Sequence, residues 1–212
     1  MLKWVSRRAD PPQAAPPAPS SGGDSDVKTN VFPRFLTAVA HQAAPVLLDV
    51  GPVVGSNVSW FGERLGCKMH IEDLYADVET FAKRGDRAAL AEFFATRLDR
   101  IEPGTVDGIL VWDLFDFLDR PSGQVLAGKL AALLRKGGAL YGTFGSAPAD
   151  LKSYTKVIVQ GDSVLKYRPV PATPVARTVL LTRDIIKMFD GLIMSDSVLL
   201  KSGTRETLFR RP

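Results

Sequence analysis

Val46-Leu47-Leu48-Asp49-Val50-Gly51-Pro52-Val53-Val54-Gly55 is the stretch that decides the fold. Its first three residues are a short apolar run, the pattern of a strand buried on both faces of a parallel sheet. Asp49 follows, then Gly51 and Gly55, then Ser56-Asn57, which can cap a helix. That helix would carry Val58, Phe61 and Leu65 on one face and stop at Gly66. A strand, a glycine-bearing turn and a helix N-terminus together make a ligand-binding edge, because bare backbone lets a ligand approach closely.

The turn is not the dinucleotide fingerprint. G-x-G-x-x-G asks for glycine where Val53 stands, and Pro52 removes a backbone donor that a pyrophosphate would use. A phosphate-binding Walker loop fails as well, since no Gly-Lys-Ser/Thr follows. The stretch resembles motif I of the class I S-adenosylmethionine-dependent methyltransferases, the D-x-G-x-G-x-G type, with Asp49, Gly51 and Gly55 in place and the middle glycine replaced by Val53. Adenosylmethionine carries no phosphates, so a donor-poor loop suits it better than NAD or ATP. The resemblance implies that Asp49 and Gly51 meet the amino-acid portion of the cofactor and that Gly55 makes the tight turn. The plainer reading is a strand-to-helix turn that needs glycine for geometry alone.

The chain beyond extends the likeness. Cys67 to Ile71 reads as a second strand ending in Glu72-Asp73, where doubly wound nucleotide sites place the carboxylate that binds ribose hydroxyls. Glu72 matches the methyltransferase position best and Asp73 is the substitute; an exposed acidic turn is the alternative. A third strand belongs hereabouts in that family, and only Tyr75 to Phe81 offers itself. Asp86 can cap a helix striped with Leu90, Phe93, Phe94, Leu98 and Ile101. Val106 to Asp113 is the next buried strand, and its end, Asp113-Leu114-Phe115-Asp116, resembles motif IV, which implies that Asp113 and Asp116 face the methyl acceptor. Pro121 opens a helix with Leu126, Leu130, Leu133 and Leu134 inward, ending at Lys136-Gly137-Gly138 before a strand over Ala139 to Phe144. A helix from Thr182 to Gly191, a strand over Leu192 to Lys201, the turn Ser202-Gly203-Thr204 and a strand over Arg205 to Arg211 complete the chain. A helix followed by a terminal antiparallel hairpin is how class I methyltransferases finish their seven-stranded sheet. The resemblance thus covers about Val46 to Arg211 and implies an α/β fold, a Rossmann-like, doubly wound, mostly parallel sheet.

Two segments stand apart. Residues 1–30 carry five prolines between Pro11 and Pro19 and then Ser20-Ser21-Gly22-Gly23, a composition that buries little and predicts a flexible tail; the alternative is a partner-binding arm with Trp4 as an anchor. Order is expected from Val31, where Phe32, Phe35, Leu36 and Val39 fall at helical spacing, so 31–212 reads as one domain. Within it, 145–177 holds two apolar runs around Gly161-Asp162, a hairpin placed to cover the carboxyl edge and to present Tyr154, Lys156, Tyr167 or Arg168 to an acceptor.

Composition sets outer limits. The 212 residues, 45% hydrophobic and 24% charged, suit one globular domain. A net charge of +4, spread towards the two ends, reads as a solvated surface. One cysteine, Cys67, excludes an internal disulfide, and His41 and His70 lack metal-ligand spacing, so no metal is expected. No run approaches the ~20 apolar residues of a spanning helix. The basic N-terminus lacks the apolar core of a secretory signal, which leaves the cytoplasm as the default.

The family implies methyl transfer from adenosylmethionine to an acceptor that the sequence does not identify: small molecule, lipid, protein or nucleic acid. No Asn/Asp-Pro-Pro-Tyr motif is present, which counts against base amino groups. Such a displacement asks the protein to hold acceptor and methyl in near-attack geometry and exclude water, in keeping with the lack of a triad or metal cluster. The rival is a methyltransferase-fold binding or scaffold protein without catalysis, favoured by Pro52 and Val53. A nicotinamide-dependent oxidoreductase is argued against by the missing glycine and the terminal hairpin.

Overall fold

The computed structural model describes residues 23–212. In chain order its elements are β1 (Ser25–Lys28), α1 (Phe32–Val39), β2 (Val46–Asp49), α2 (Gly55–Leu65), β3 (Lys68–Ile71), α3 (Leu74–Arg84), α4 (Leu90–Thr96), β4 (Val106–Trp112) and α5 (Arg120–Leu133). They continue with β5 (Leu134–Gly145), β6 (Asp150–Gly161), β7 (Val164–Ala176), α6 (Thr182–Met188), β8 (Ile193–Leu199) and β9 (Thr204–Arg210). Short 3-10 turns cover Arg87–Ala89 and Leu114–Phe117.

The main sheet has six strands in the order β3-β2-β4-β5-β9-β8. The apolar run at Val46 is parallel to both neighbours, with Leu48 opposite His70 on one side and Ile109 on the other. β4 and β5 are parallel, and β9 then runs antiparallel to both β5 and β8. The chain leaves β2 towards β3 and comes back to β4 on its other side. This reversal puts a switch point outside the carboxyl ends of β2 and β4, where open α/β sheets bind ligands.

Alternation along each strand divides the core in two. Ile109 and Val111 join the cluster under α3, α4, α5 and α6, while Leu110 and Trp112 join the one under α1 and α2. α1 comes close to the sheet because Gly108 offers no side chain: a Cβ there would lie 2.7 Å from both Leu47 and Val39. Glu206, wholly buried on β9, accepts from the Tyr141 hydroxyl and from the backbone of Asn30 and Val31, and so fastens the start of α1.

Several expectations need correction. Tyr75 to Phe81 is not a strand but the body of α3: Asp73 accepts from Ala76 N, and Leu74, Tyr75 and Val78 are its buried face. α3 leads through a 3-10 turn directly into α4, so among the described residues β3 has no strand on its outer side and the sheet has six strands rather than seven. The expected tail reaches too far, since Ser25–Lys28 pairs antiparallel with β7; residues 1–22, including Trp4, lie outside the described residues. In α2, Ser56 and Asn57 are helical residues and Val54 is the N-cap, while Val58 is exposed and Phe61 is buried. α5 ends at Leu133, a few residues before the two glycines.

The 145–177 segment is a long antiparallel hairpin, β6 with β7, extended by β1 into a second sheet of three strands. No helix among the described residues is long and apolar enough to cross a membrane.

Candidate functional site

The carboxyl ends of β2, β3, β4 and β5 bring Asp49, Glu72, Asp113 and Gly145 to one edge of the sheet. Asp49 ends β2. Its carboxylate is 5% exposed, and its Oδ1 accepts from Gly51 N at 2.9 Å and from Trp112 Nε1 at 2.8 Å. Burial lifts its pKa to about 6 against those two hydrogen bonds.

Trp112 packs against the turn from the core under α1 and α2. A Cβ on Gly51 would come within 2.7 Å of Trp112 Nε1 and 3.0 Å of Asp49 Oδ1. The indole, 2% exposed, therefore lies directly on the first glycine of the motif. Trp112 has φ +46°, in the left-handed region that large side chains rarely enter. Gly51 and Pro52 are buried, while Val53 and Gly55 are exposed on the outer side of the turn.

Glu72 follows β3 as expected, but both its oxygens are taken. Oε2 accepts from Arg97 Nη1 at 2.8 Å and Oε1 pairs with Arg100, and the two guanidinium groups hold its carboxyl below the usual range against a desolvation that raises it. Arg97 also reaches Asp77, at 2.8 Å. Asp73 caps α3. The structure thus places both acidic residues at the strand end and joins neither to Asp113.

Asp113 and Asp116 do come together. Asp113 accepts from the Tyr75 hydroxyl, and burial raises its pKa. Asp116, on the 3-10 turn after β4, accepts from Gly145 N at 3.0 Å with each oxygen and lies 2.9 Å from Arg177 Nε. Burial lifts the Asp116 pKa to about 7 despite those partners.

The hairpin roofs this edge, and side chains expected in other roles, joined by Glu79, hold it there. Asn57 Nδ2 donates to Val157 O at 2.8 Å and its Oδ1 accepts from Val159 N at 2.9 Å, both buried. Glu79 accepts from the backbone and hydroxyl of Thr173. Tyr154 packs against Tyr75 with ring centroids 5.3 Å apart. Lys156 and Arg168 pair across the two strands, and Arg168 bonds Asp24. Under the roof, Asp113, Asp116, Tyr167 and Arg177 line a cavity of about 140 Å³.

The chain matches no family model and no curated protein. Among solved structures it is similar to PH0226 protein from Pyrococcus horikoshii OT3, at 8% identity and a TM-score of 0.49 over 86% of this chain and 88% of that one. It is also similar to Burkholderia thailandensis 1,6-didemethyltoxoflavin-N1-methyltransferase, at 16% identity and a TM-score of 0.49 over 85% and 78%. A third is the CcbJ methyltransferase from Streptomyces caelestis, at 15% identity and a TM-score of 0.48 over 86% and 95%. What decides the architecture is the strand order: a parallel run from β3 to β5, finished by a helix and the antiparallel β8–β9 hairpin. The fold is that of the class I methyltransferases. Within that fold, the groups at the glycine turn are bonded to one another.

Proposed function

We propose that this chain uses the methyltransferase fold as a binding protein and does not transfer methyl groups. The observation that carries this reading is the closed switch point, where the Trp112 indole lies on Gly51 and holds Asp49. Adenosylmethionine would need the space beside Gly51 and a free carboxylate at the end of β3. The Trp112 indole packs where a side chain on Gly51 would begin, Glu72 is bonded to Arg97 and Arg100, and Asp73 caps α3. The residues do not fit the cofactor in this arrangement, and Pro52 and Val53 make the loop poorer still in donors and flexibility. The working site of such a protein is the hairpin-covered edge around Asp113 and Asp116.

Calorimetric titration of the full chain with adenosylmethionine and its demethylated product tests the reading. Heat of binding is expected to be absent up to millimolar concentration. A micromolar dissociation constant for either compound would overturn it.

Methyl transfer is the second reading, favoured by one observation: Asp113 immediately follows the strained Trp112, at the strand end next to Asp49. Swinging the indole outward would free Asp49 and Gly51 together. In that case Asp113 and Asp116 would orient the methyl acceptor, and Trp112→Ala would bind adenosylmethionine more tightly than the wild type.

A further inference from the structure

We propose that the cavity beneath the hairpin binds a small organic cation, a primary ammonium compound of about six non-hydrogen atoms, held between Asp113 and Asp116. The proposal deepens the reading of this edge as a binding site. Six parts of the chain converge on the cavity: Asp113 from the end of β4, Asp116 from the 3-10 turn, Thr143 from β5, Thr155 and Tyr167 from the hairpin, Arg177 just beyond it, and Thr204 from β9. Its volume of about 140 Å³ is close to that of the engineered cavity that takes up benzene, which sets the size of the guest. That comparison cavity is apolar and stays dry, whereas this one is lined by charge and hydroxyls, so its guest must be polar.

Charge decides the class. The lining holds two carboxylates and one guanidinium. Arg177 serves Asp116, and Gly145 seats it, because a Cβ on Gly145 would run into the guanidinium. Its Nε is buried and, though 2.9 Å from Asp116 Oδ2, has no aligned hydrogen-bond partner among the described residues. Among the described residues Asp113 has no cation at bonding distance; the Tyr75 hydroxyl donates to it, and Thr155 lines the same cavity. Asp116 is buried and Asp113 half-buried, and a carboxylate withdrawn from water is costly unless a positive charge or a proton meets it. An ammonium group supplies the charge and three donors, enough to reach Asp113, Asp116 and a threonine hydroxyl together. Asp113, Thr155, Tyr167 and Thr204 are only half-buried, which leaves a mouth for entry.

The probe is ethanolamine, with ethylene glycol as its neutral counterpart and glycolate as the anionic one. The Gly145 amide, hydrogen-bonded to Asp116, reports on the cavity by NMR. Ethanolamine is expected to shift that amide with a millimolar dissociation constant, in line with what about four non-hydrogen atoms can supply. Ethylene glycol and glycolate should bind at least about tenfold more weakly, the loss expected for one charge-assisted hydrogen bond. Asp113→Asn, which keeps the shape and an acceptor for Tyr75, should cost about tenfold for ethanolamine while leaving glycol unchanged. Asp116→Asn should do the same, and a melting curve beside each variant shows that it is folded. Equal binding of glycol and ethanolamine would overturn the cationic class. No shift with any probe at about a hundred millimolar would overturn the site itself. Adenosylmethionine, titrated in parallel, reports separately on the closed glycine turn: its binding would refute the non-catalytic reading and leave the ethanolamine result standing or falling by itself.

Discussion

Trp112 is the residue on which the site turns. It sits in left-handed backbone, wholly inside the protein, and its indole N–H ends on Asp49. A large side chain keeps such a conformation only where its surroundings over-determine it. Here they do, through Phe32 and Tyr141 at centroid distances of 6.2 and 6.0 Å and through the Asp49 hydrogen bond. Trp112→Phe keeps most of the packing and removes the donor, leaving a buried carboxylate with the single bond from Gly51. Unfolding in urea should show a loss of about 1–3 kcal/mol. A change below about half a kcal/mol would mean that the hydrogen bond contributes little. Asp49, Gly51 and the carboxyl-end position of Glu72 were legible in the sequence, because strand ends and glycine spacing are local. The partners were not: Trp112 lies 63 residues from Asp49, and Arg100 lies 28 from Glu72, separations that no motif spans.

At the scale of elements, the hairpin was legible and its fastening was not. Apolar runs on either side of Gly161-Asp162 announce two strands, but Asn57, read as a helix cap, turns out to be the clamp. Its amide matches one carbonyl and one N–H of β6, so Asn57→Ala orphans two buried backbone groups and should cost about 2–4 kcal/mol. Hydrogen exchange of the Val157 and Val159 amides, compared with those of β4, checks where the loss falls. Faster exchange confined to the hairpin is expected, and uniform acceleration would show that the clamp supports the whole domain. α3 was also legible in its residues. Tyr75, Val78 and Phe81 recur every three residues, a helical spacing, and Asp73 stands ready as the cap; the expectation of a strand here rests on the family resemblance alone. Gly108 is a third local feature with a long reach. Gly108→Ala would press on Leu47, Val39 and Phe35 together and should destabilise by about 1–3 kcal/mol through α1.

Over the whole molecule, the carboxyl edge stores unfavourable charge, and pH reads it out. Asp49 titrates at about 6 and Asp116 at about 7, both raised by burial above the usual carboxylate range, and Asp113 is shifted in the same direction. Between the unfolded value and these, the folded chain holds protons that the unfolded chain has already released. Stability therefore falls as pH rises through this window, and the loss is complete once pH exceeds the folded values. Glu72 is shifted the other way, and the stability it contributes is lost only as pH drops below the usual carboxylate range, outside the window. Melting temperature should accordingly be higher at about pH 5 than at about pH 8. Asp49→Asn with Asp116→Asn should flatten the slope, since neither replacement titrates. A melting temperature that climbs from pH 5 to 8 in the wild type would show that both carboxylates are ionised at little cost. A slope that survives in the double variant would assign it to Asp113 and its Tyr75 contact. An edge that gains stability when its acids are neutralised is also one that a bound cation would stabilise, so about the same slope should shrink when ethanolamine is present at saturating concentration.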